Sequence, residues 1–248
     1  MLISLGSGAF MWKRDLSRFF LQLPLCPTEY NKVCFIWRGS LFFFTSFVWG
    51  CRHAGMSGQR VSSAVSAIHR SLGTNTDQLS SVISSDFPPE VQLQPFNTFN
   101  YSDDFGGCEQ SEERALLSFN AMGELLKLLG LTESEEKAVP PSQVMTYLGL
   151  EFDSKTMELR VNSEKCNELR NDLQIWMRKT RASKSDLQSI LGKLIWVSKA
   201  VKFSRVFVLR IINEIKLLKS QKDKITLSDD LRKDFLWWKV YMDVFNGV

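Results

Sequence analysis

The stretch Asn100-Tyr101-Ser102-Asp103-Asp104-Phe105-Gly106-Gly107 places two adjacent carboxylates between aromatic residues, with two glycines behind them. The flank from Phe96 to Tyr101 is rich in aromatic, Asn and Thr residues, which indicates a strand that enters a tight turn with the Asp pair at or near its tip. Two like charges side by side are costly unless a cation or solvent screens them, and hard divalent ions such as Mg²⁺ prefer oxygen ligands of this kind. Taken alone, the stretch fits an Asp-Asp turn in a solvated hairpin equally well.

The composition of the 248-residue chain is that of a globular protein. Hydrophobic residues make up 44% and aromatic residues 12%, enough for a sizeable core in one large or two small domains. The longest apolar runs, such as Leu41 to Trp49, are far too short to span a bilayer, and no secretory signal is found. We therefore expect no membrane partner and an intracellular location, in the cytoplasm or the nucleus. The five scattered cysteines argue for a reducing compartment and against a zinc site or a disulfide scaffold.

The net charge of +4 conceals an asymmetry along the chain. Residues 1–162 contain 13 Lys/Arg and 17 Asp/Glu (net −4), whereas residues 163–248 contain 18 and 10 (net +8). An acidic part with metal-type carboxylates, followed by a basic helical part, suits a nucleic-acid enzyme. The alternative is an ordinary solvated surface on a helical domain.

Hydrophobic periodicity and turn residues predict the elements of residues 1–162. We expect a mobile loop or insertion at residues 73–95, which are rich in Ser, Thr, Asn, Gln and Pro. An acidic loop containing Lys137 is predicted for Thr132 to Pro141. The other predicted elements are a hairpin of residues 33–38 and 41–48, a helix from Ser57 to Leu72, a helix from Ser111 to Leu129 that ends at Gly130, and strands at Val144–Phe152 and Met157–Val161.

From Ser163 onward the pattern predicts four amphipathic helices, the last beginning after Ser228 as its N-cap. Their Met and aromatic stripes are interpreted as core. His53 and His69 have no partner Cys or His at ligand spacing, so surface or capping roles are preferred to a metal role. Asp15, taken alone, is interpreted as a helix N-cap or a surface charge.

Several sequence blocks in a fixed order resemble retrotransposon reverse transcriptases, and the nearest class is the tyrosine-recombinase, DIRS-type retroelements. The resemblance covers nearly the whole chain; a single YxDD box is weak evidence, but five blocks in the right order are specific. The blocks are Lys13-Arg14-Asp15-Leu16, Phe47-Val48-Trp49-Gly50, Tyr101-Ser102-Asp103-Asp104, Thr146-Tyr147-Leu148-Gly149-Leu150 and a tail with Leu187-Gln188-Ser189-Ile190-Leu191-Gly192-Lys193-Leu194, Leu227-Ser228 and Leu236-Trp237-Trp238.

The resemblance implies an α+β fold, with a right-hand polymerase palm (an antiparallel sheet with packed helices) followed by a helical thumb and a connection. It assigns residues 1–162 to the palm with partial fingers, residues 163–225 to the thumb, and residues 226–248 to the start of the connection toward a missing ribonuclease H domain. The implied activity is that of an RNA-directed DNA polymerase of a retroelement. Its implied partners are an RNA template, a DNA primer and deoxynucleoside triphosphates.

The resemblance also assigns the metal-binding groups. Asp15 would be the first metal-binding carboxylate, Asp103 the second and Asp104 the companion acid of the turn, while the backbone carbonyl of Leu16 would be a further metal contact. The implied cofactor is a pair of Mg²⁺ ions, with Mn²⁺ as the alternative. In such two-metal chemistry, ions about 3.5–4 Å apart activate the primer 3′-hydroxyl and stabilise the leaving pyrophosphate.

Further roles follow from the same resemblance. Phe20 would be the steric gate against a ribose 2′-hydroxyl, with a core Phe as the alternative. Trp49 and Gly50 would lie beside the incoming nucleotide and the template. Lys137 would be a general acid toward pyrophosphate, with a solvated surface lysine as the alternative. The primer grip would be Tyr147, Leu148 and Gly149, and the basic helices would follow the duplex phosphates.

The chain departs from the family pattern in four ways. Most of the fingers region expected before Asp15 is missing, Gly55 stands where the family has proline, residues 73–95 are longer than expected, and no ribonuclease H domain follows Val248. These departures predict a truncated form. The alternatives are a non-catalytic nucleic-acid-binding remnant of a reverse transcriptase and an unrelated protein with a chance Asp-Asp turn.

Overall fold

The computed structural model of the chain describes residues 1–83 and 94–248. These residues form two compact units, residues 1–145 and residues 146–248. The fold is α+β, with antiparallel sheets and packed helices, which confirms the predicted fold class. Among the described residues, no helix combines the length and the apolar character that a bilayer crossing requires.

The first unit is built on a four-stranded antiparallel sheet in the order β4-β5-β1-β6, with β2 and β3 forming a separate hairpin. Its strands are β1 (Phe10–Asp15), β2 (Cys34–Trp37), β3 (Ser40–Phe43), β4 (Thr98–Tyr101), β5 (Asp104–Glu109) and β6 (Val139–Ser142). Its helices are α1 (Leu2–Leu5), α2 (Phe19–Gln22), α3 (Ala54–Leu72), α4 (Thr76–Val82) and α5 (Glu112–Leu128).

The core of the first unit lies between the sheet and the helices α3 and α5. Trp12 of β1 and Phe105 of β5 are fully buried there, and burying a large apolar side chain contributes about 1.5–3 kcal/mol. The glycines that follow the Asp pair serve this packing. A Cβ on Gly107 would lie 2.3 Å from the Trp12 ring, and one on Gly106 would lie 2.4 Å from the Phe99 ring.

The second unit is mainly helical. Its helices are α6 (Ser163–Arg178), α7 (Lys184–Val197), α8 (Leu209–Leu217) and α9 (Asp229–Tyr241). Its strands are β7 (Val144–Tyr147, which crosses the boundary between the units), β8 (Leu150–Asp153), β9 (Glu158–Val161), β10 (Arg181–Ser183) and β11 (Lys224–Thr226). Side chains of Asn162, Ser183 and Ser228 cap the N-termini of α6, α7 and α9, which confirms the predicted cap at Ser228.

Some predicted elements are wrong in extent. The single strand predicted for Val144–Phe152 is two strands, because Leu148 (φ 49°) and Gly149 (φ 81°) form a hairpin turn between β7 and β8. The strand predicted for residues 41–48 is shorter, since β3 ends at Phe43. The predicted loop at residues 73–95 contains α4, capped by the side chain of Asn75, and residues 84–93 lie outside the described residues.

The surface or capping role predicted for His69 is wrong. Its ring is fully buried, and Nε2 lies 2.9 Å from the carbonyl oxygen of Ser118 while Nδ1 lies 2.6 Å from Oγ1 of Thr98. Because a carbonyl oxygen can only accept, Nε2 carries the proton and Nδ1 accepts from the Thr98 hydroxyl. Burial lowers the pKa of His69 to about 4, so the ring is neutral at pH 7. The ring ties α3 to β4 and α5.

Candidate active site

Two strands bring the predicted carboxylates to one edge of the sheet. Asp15 ends β1, Asp104 begins β5, and the two residues face each other directly across the antiparallel pair. Just beyond the strands, the backbone N–H of Leu16 donates to the carbonyl oxygen of Asp103 at 3.0 Å. Asp15 and Asp103 are 88 positions apart in the chain but lie at the ends of neighbouring strands. The structure therefore places Asp15, Asp103 and Asp104 together.

The turn that carries Asp103 is held from outside by helix α3. Tyr101 pairs with Asp104, so Ser102 and Asp103 form a two-residue turn. Ser102 has φ 53°, a left-handed conformation that is uncommon for a residue other than glycine. Its backbone N–H donates to Oε1 of Gln59 on α3 at 2.8 Å. This hydrogen bond offsets part of the strain and fixes the position of the turn.

The electrostatics of the edge are set by burial and by one lysine. Burial raises the pKa of Asp104 to about 6, the ammonium group of Lys13 opposes that shift, and the carboxylates of Asp15 and Asp103 add to it. Nζ of Lys13 lies 3.5 Å from Oδ1 of Asp104. A cation that joined the three acids would relieve their mutual repulsion.

A loop between α5 and β6 is fastened to the end of β1. The guanidinium group of the buried Arg14 donates to both carboxylate oxygens of Glu133, at 2.6 and 2.5 Å. The backbone N–H of Ser134 donates to the carbonyl oxygen of Asp15 at 2.8 Å. The next turn of this loop carries Lys137, whose Nζ donates to Oδ2 of Asp15 at 2.8 Å. That hydrogen bond raises the pKa of Lys137, so its ammonium group stays protonated at neutral pH.

A cavity of about 690 Å³ opens beside this cluster. Its lining combines one carboxylate, two cations and a row of aromatic rings. The Phe20 ring lies at its wall with the ring of Trp49 5.0 Å away, centroid to centroid, and Trp49 is otherwise highly exposed. Gly50 follows with φ 93°. The lining residues are Leu16, Arg18, Phe19, Phe20, Leu21, Phe44, Val48, Trp49, Asp103 and Lys137.

The three residues predicted as a primer grip belong to the β7–β8 hairpin. Tyr147 is buried, whereas Leu148 at the turn is exposed. A Cβ on Gly149 would lie 3.0 Å from the ring of Trp196 on α7, so the glycine allows close packing of the hairpin against that helix.

Sequence reasoning missed several residues that shape these sites. Gln59 and Gly58 lie on α3. They contact residues that are distant in the chain, so sequence spacing does not predict these contacts. On α7, Gln188, Gly192 and Trp196 recur at intervals of four residues on one face, and no atom lies within 4 Å of a Cβ built on Gly192. That interval is visible in the sequence, although only Gln188 and Gly192 belong to the tail block of the resemblance.

The donor set for a metal ion is small. Within residues 1–83 and 94–248, no group of three or more His, Cys, Asp or Glu side chains is arranged to hold a metal ion. Mg²⁺ is commonly bound by one or two carboxylates and completes its shell with water and substrate phosphates. Asp15 and Asp103 fit that pattern as the two carboxylates. The ammonium group of Lys137 forms an ion pair with Asp15 at 2.8 Å, so Asp15 already has one positively charged partner.

The comparisons with known proteins identify the fold. No protein-family model matches the chain, and no curated protein matches it. Solved structures of a foamy viral protease-reverse transcriptase do match. They are the dRH form in complex with double-stranded DNA (TM-score 0.70, 15% identity, 95% of this chain and 35% of that one), the complex with an RNA/DNA hybrid (TM-score 0.68, 17% identity, 96% and 27%) and a further double-stranded DNA complex (TM-score 0.62, 15% identity, 95% and 42%).

The chain spans between about a quarter and two fifths of the length of these foamy viral chains, while nearly all of it is matched. At identities of 15–17% the likeness concerns the backbone arrangement alone. Together with the antiparallel sheet and its packed helices, it shows that the chain has a reverse-transcriptase-like fold.

Proposed function

We propose that this chain is the palm and thumb portion of an RNA-directed DNA polymerase of a retroelement, and that the DIRS-type resemblance names its class. The observation that carries the proposal is the meeting of Asp15 and Asp104 across β1 and β5, with Asp103 tied to the backbone of Leu16 beside a nucleotide-sized cavity. Acids from two distant blocks have no structural need to meet here, because burial, with the neighbouring carboxylates adding to it, raises the pKa of Asp104 to about 6 and so opposes folding at neutral pH.

In this proposal Asp15 and Asp103 hold the Mg²⁺ ions, and the carbonyl oxygen of Leu16 is a further ligand. Bound there, the ions would lower the pKa of the primer 3′-hydroxyl and neutralise charge on the leaving pyrophosphate. Asp104 shapes the local field from the neighbouring strand position. Lys137 keeps a proton on Nζ at the edge of the same cavity, where it can pass that proton to a departing phosphate oxygen.

The aromatic wall supports a role in selecting the sugar. The Phe20 ring faces the cavity that Asp103 and Lys137 also line, which is where the nucleotide would lie. A rigid ring at that place excludes a 2′-hydroxyl by size, so deoxynucleotides are preferred. Trp49, whose ring lies 5.0 Å from that of Phe20, offers an exposed aromatic face for stacking against a base.

The second unit supports binding of a primer–template duplex. Between residues 165 and 224 it carries 15 basic and 5 acidic residues, and a basic surface binds nucleic-acid phosphates with little sequence preference. On α7 the exposed Gly192 lets a partner approach the helix backbone, with the polar Gln188 one turn before it and Trp196 one turn after it. The foamy viral structures that share the fold are complexes with double-stranded DNA or an RNA/DNA hybrid.

One contact favours a second candidate function. Lys137 donates to Asp15 at 2.8 Å, so this acid has a positive partner that does not depend on a metal ion. A remnant that binds nucleic acid but has lost turnover would keep this contact, and its duplex affinity would not depend on Mg²⁺.

Primer extension on an RNA template with Mg²⁺ tests the proposal. We expect the wild-type chain, with an upstream fingers segment supplied separately if needed, to extend a DNA primer, and Asp103→Asn to abolish extension while duplex binding is retained. Asp77→Asn removes an exposed carboxylate on α4 and is the matched control, which should extend like wild type. Extension that is absent in wild type under both conditions, with duplex binding intact, supports the remnant instead.

A further inference from the structure

Helix α3 touches the aromatic wall of the cavity through a glycine. Gly58 is buried, and a Cβ built on it would lie 2.8 Å from Cε1 of Phe19 and 2.9 Å from Cε1 of Phe20. Both distances are shorter than carbon atoms tolerate, since van der Waals contact between carbons is about 3.5–4.0 Å. Any larger residue at position 58 must therefore displace at least one of these rings.

The two rings differ in their freedom to move. Both rings line the cavity, but Phe19 is only 3% exposed and is packed in the core of the first unit, so a shift of its ring would disturb core contacts. Phe20 is less buried, lines the open cavity and lies against the exposed Trp49. Added volume at position 58 is therefore relieved by a shift of the Phe20 ring into the cavity.

We propose that Gly58 is a positioning residue that sets how far the Phe20 ring projects into the cavity, and so sets how strictly the site rejects the ribose 2′-hydroxyl. The inference rests on the proposed function, because it concerns the nucleotide that this cavity would take. It adds a determinant on a different element, 38 positions from Phe20. Gly58 does not touch the nucleotide; it acts through the ring.

A second glycine on the same helix supplies a matched control. Gly55 is exposed, and no atom lies within 4 Å of a Cβ built on it. Both Gly→Ala changes add the same methyl group near the start of α3, where Gly55 is the second residue of the helix and Gly58 the fifth. A difference between Gly58→Ala and Gly55→Ala therefore reports the contact with the rings and not the helix.

The experiment measures kcat/KM for single-nucleotide extension with a deoxynucleotide and with the matching ribonucleotide, and compares the ratio among variants. We expect Gly58→Ala to lower kcat/KM for the deoxynucleotide by about tenfold through KM, which is the usual effect of one methyl group in a binding pocket, and to raise the deoxy/ribo ratio. Gly55→Ala should match wild type. Phe20→Leu should lower the ratio, and adding Gly58→Ala to Phe20→Leu should change it no further.

The inference is overturned if Gly58→Ala leaves the ratio within the error of Gly55→Ala, or if its effect persists in the Phe20→Leu background. Unfolding midpoints of all variants show whether each is folded. If Gly58→Ala unfolds alone but folds together with Phe20→Leu, the clash lies on the Phe20 ring, as the inference requires; if it is unfolded in both backgrounds, the inference is overturned.

A binding measurement without turnover distinguishes failure of the proposed function from failure of the Gly58 inference. Calorimetric titration with a deoxynucleoside triphosphate and its ribonucleotide in Ca²⁺ reports the same discrimination when no extension occurs. A chain that binds both but never extends refutes the polymerase proposal, and the Gly58 inference then stands or falls on the ratio of dissociation constants. A chain that binds neither overturns both.

Discussion

The two units use charge in opposite ways. The first contains charges that are buried and held in place, such as Asp15 (5% exposed) and Arg14 (9% exposed), each with hydrogen-bond partners. The second places most of its ion pairs in solvent, such as Lys193 with Asp172 and Arg170 with Asp243. Its net charge is positive and distributed along helices.

In the proposed polymerase, this difference would divide the reaction and the binding of the duplex between the two units. Protected, immobile charges act strongly on a reacting group, because no solvent reorganisation weakens them. Solvated charges contribute little individually, but in number they attract a polyanion and give an affinity that falls with salt. A substitution in the first unit should therefore change rates, and one in the second should change affinity.

The largest difference in primer extension should appear when one Asp→Asn substitution is made in the first unit and another in the second. We expect Asp15→Asn to reduce primer extension by about a thousandfold, as removal of one preorganised electrostatic contact does. Asp172→Asn, at an exposed ion pair, should change extension by less than about twofold. Rates measured at saturating duplex isolate the chemical step. Equal losses in both variants would contradict the division of roles.

The buried histidine makes the stability of the first unit depend on pH, and the second unit contains no histidine. Because burial lowers the pKa of His69 to about 4, the unfolded chain gains a proton below about pH 6.5 that the folded chain does not take up. Stability is complete above pH 6.5 and falls as the pH drops toward 4, by up to about 3 kcal/mol.

Amide hydrogen exchange resolves this effect by region. We expect protection of β4 and β5 to fall more between pH 7 and pH 5 than protection of α7, after correction for intrinsic exchange rates. His69→Gln should reduce the difference. A wild-type protein in which both regions lose protection in parallel would show that the histidine does not set the response.

Gln59 tests whether the turn of the first unit must be held in place. Gln59→Leu removes the acceptor for the backbone N–H of Ser102, and a lost hydrogen bond of this kind is worth about 1 kcal/mol. We expect kcat to fall by about tenfold with duplex affinity unchanged. Gln59→Glu keeps an oxygen acceptor but adds a negative charge beside the carboxylates, so it should recover only part of the lost kcat. An effect confined to unfolding temperature would mean that Gln59 is only structural.

Side chains of increasing size at position 192 test whether the second unit binds a duplex through helix α7. Because nothing lies within 4 Å of a Cβ at this position, neither Gly192→Ala nor Gly192→Leu should destabilise the fold. The larger side chain should hold a duplex away from α7 and weaken binding by about tenfold, with a smaller loss for alanine. Fluorescence anisotropy with a labelled duplex measures both. Unchanged affinity in the leucine variant would remove this helix face from the nucleic-acid interface.

Much of this arrangement could be predicted from the sequence, because local patterns carry it. The aromatic, Asn and Thr residues before Asp103 and the glycines after it predict a strand and a turn, and the caps at Ser111 and Ser228 mark where α5 and α9 begin. The order of the family blocks predicted the fold class, and the resemblance singled out Asp15, Asp103 and Asp104.

The rest depends on contacts between elements that no local pattern reveals. The hydrogen-bond partners of His69 are Thr98 and Ser118, which are 29 and 49 positions away. The residues near position 69 therefore do not predict that its ring is buried. Gln59 meets the turn 43 positions later. The Leu148–Gly149 turn was missed for a different reason. Leu148 is apolar and therefore fits a continuous strand, although both it and Gly149 have positive φ. Only the glycine is a residue typical of such a turn.

The central claim is that Asp15 and Asp103 share one divalent ion. Mn²⁺ binding, followed by electron paramagnetic resonance with a non-hydrolysable deoxynucleotide present, tests it most directly in wild type, Asp15→Asn, Asp103→Asn and the double variant. If the two carboxylates share the ion, each single variant loses the site and the double variant loses nothing more. Losses that add, or a single variant that binds like wild type, would contradict the claim.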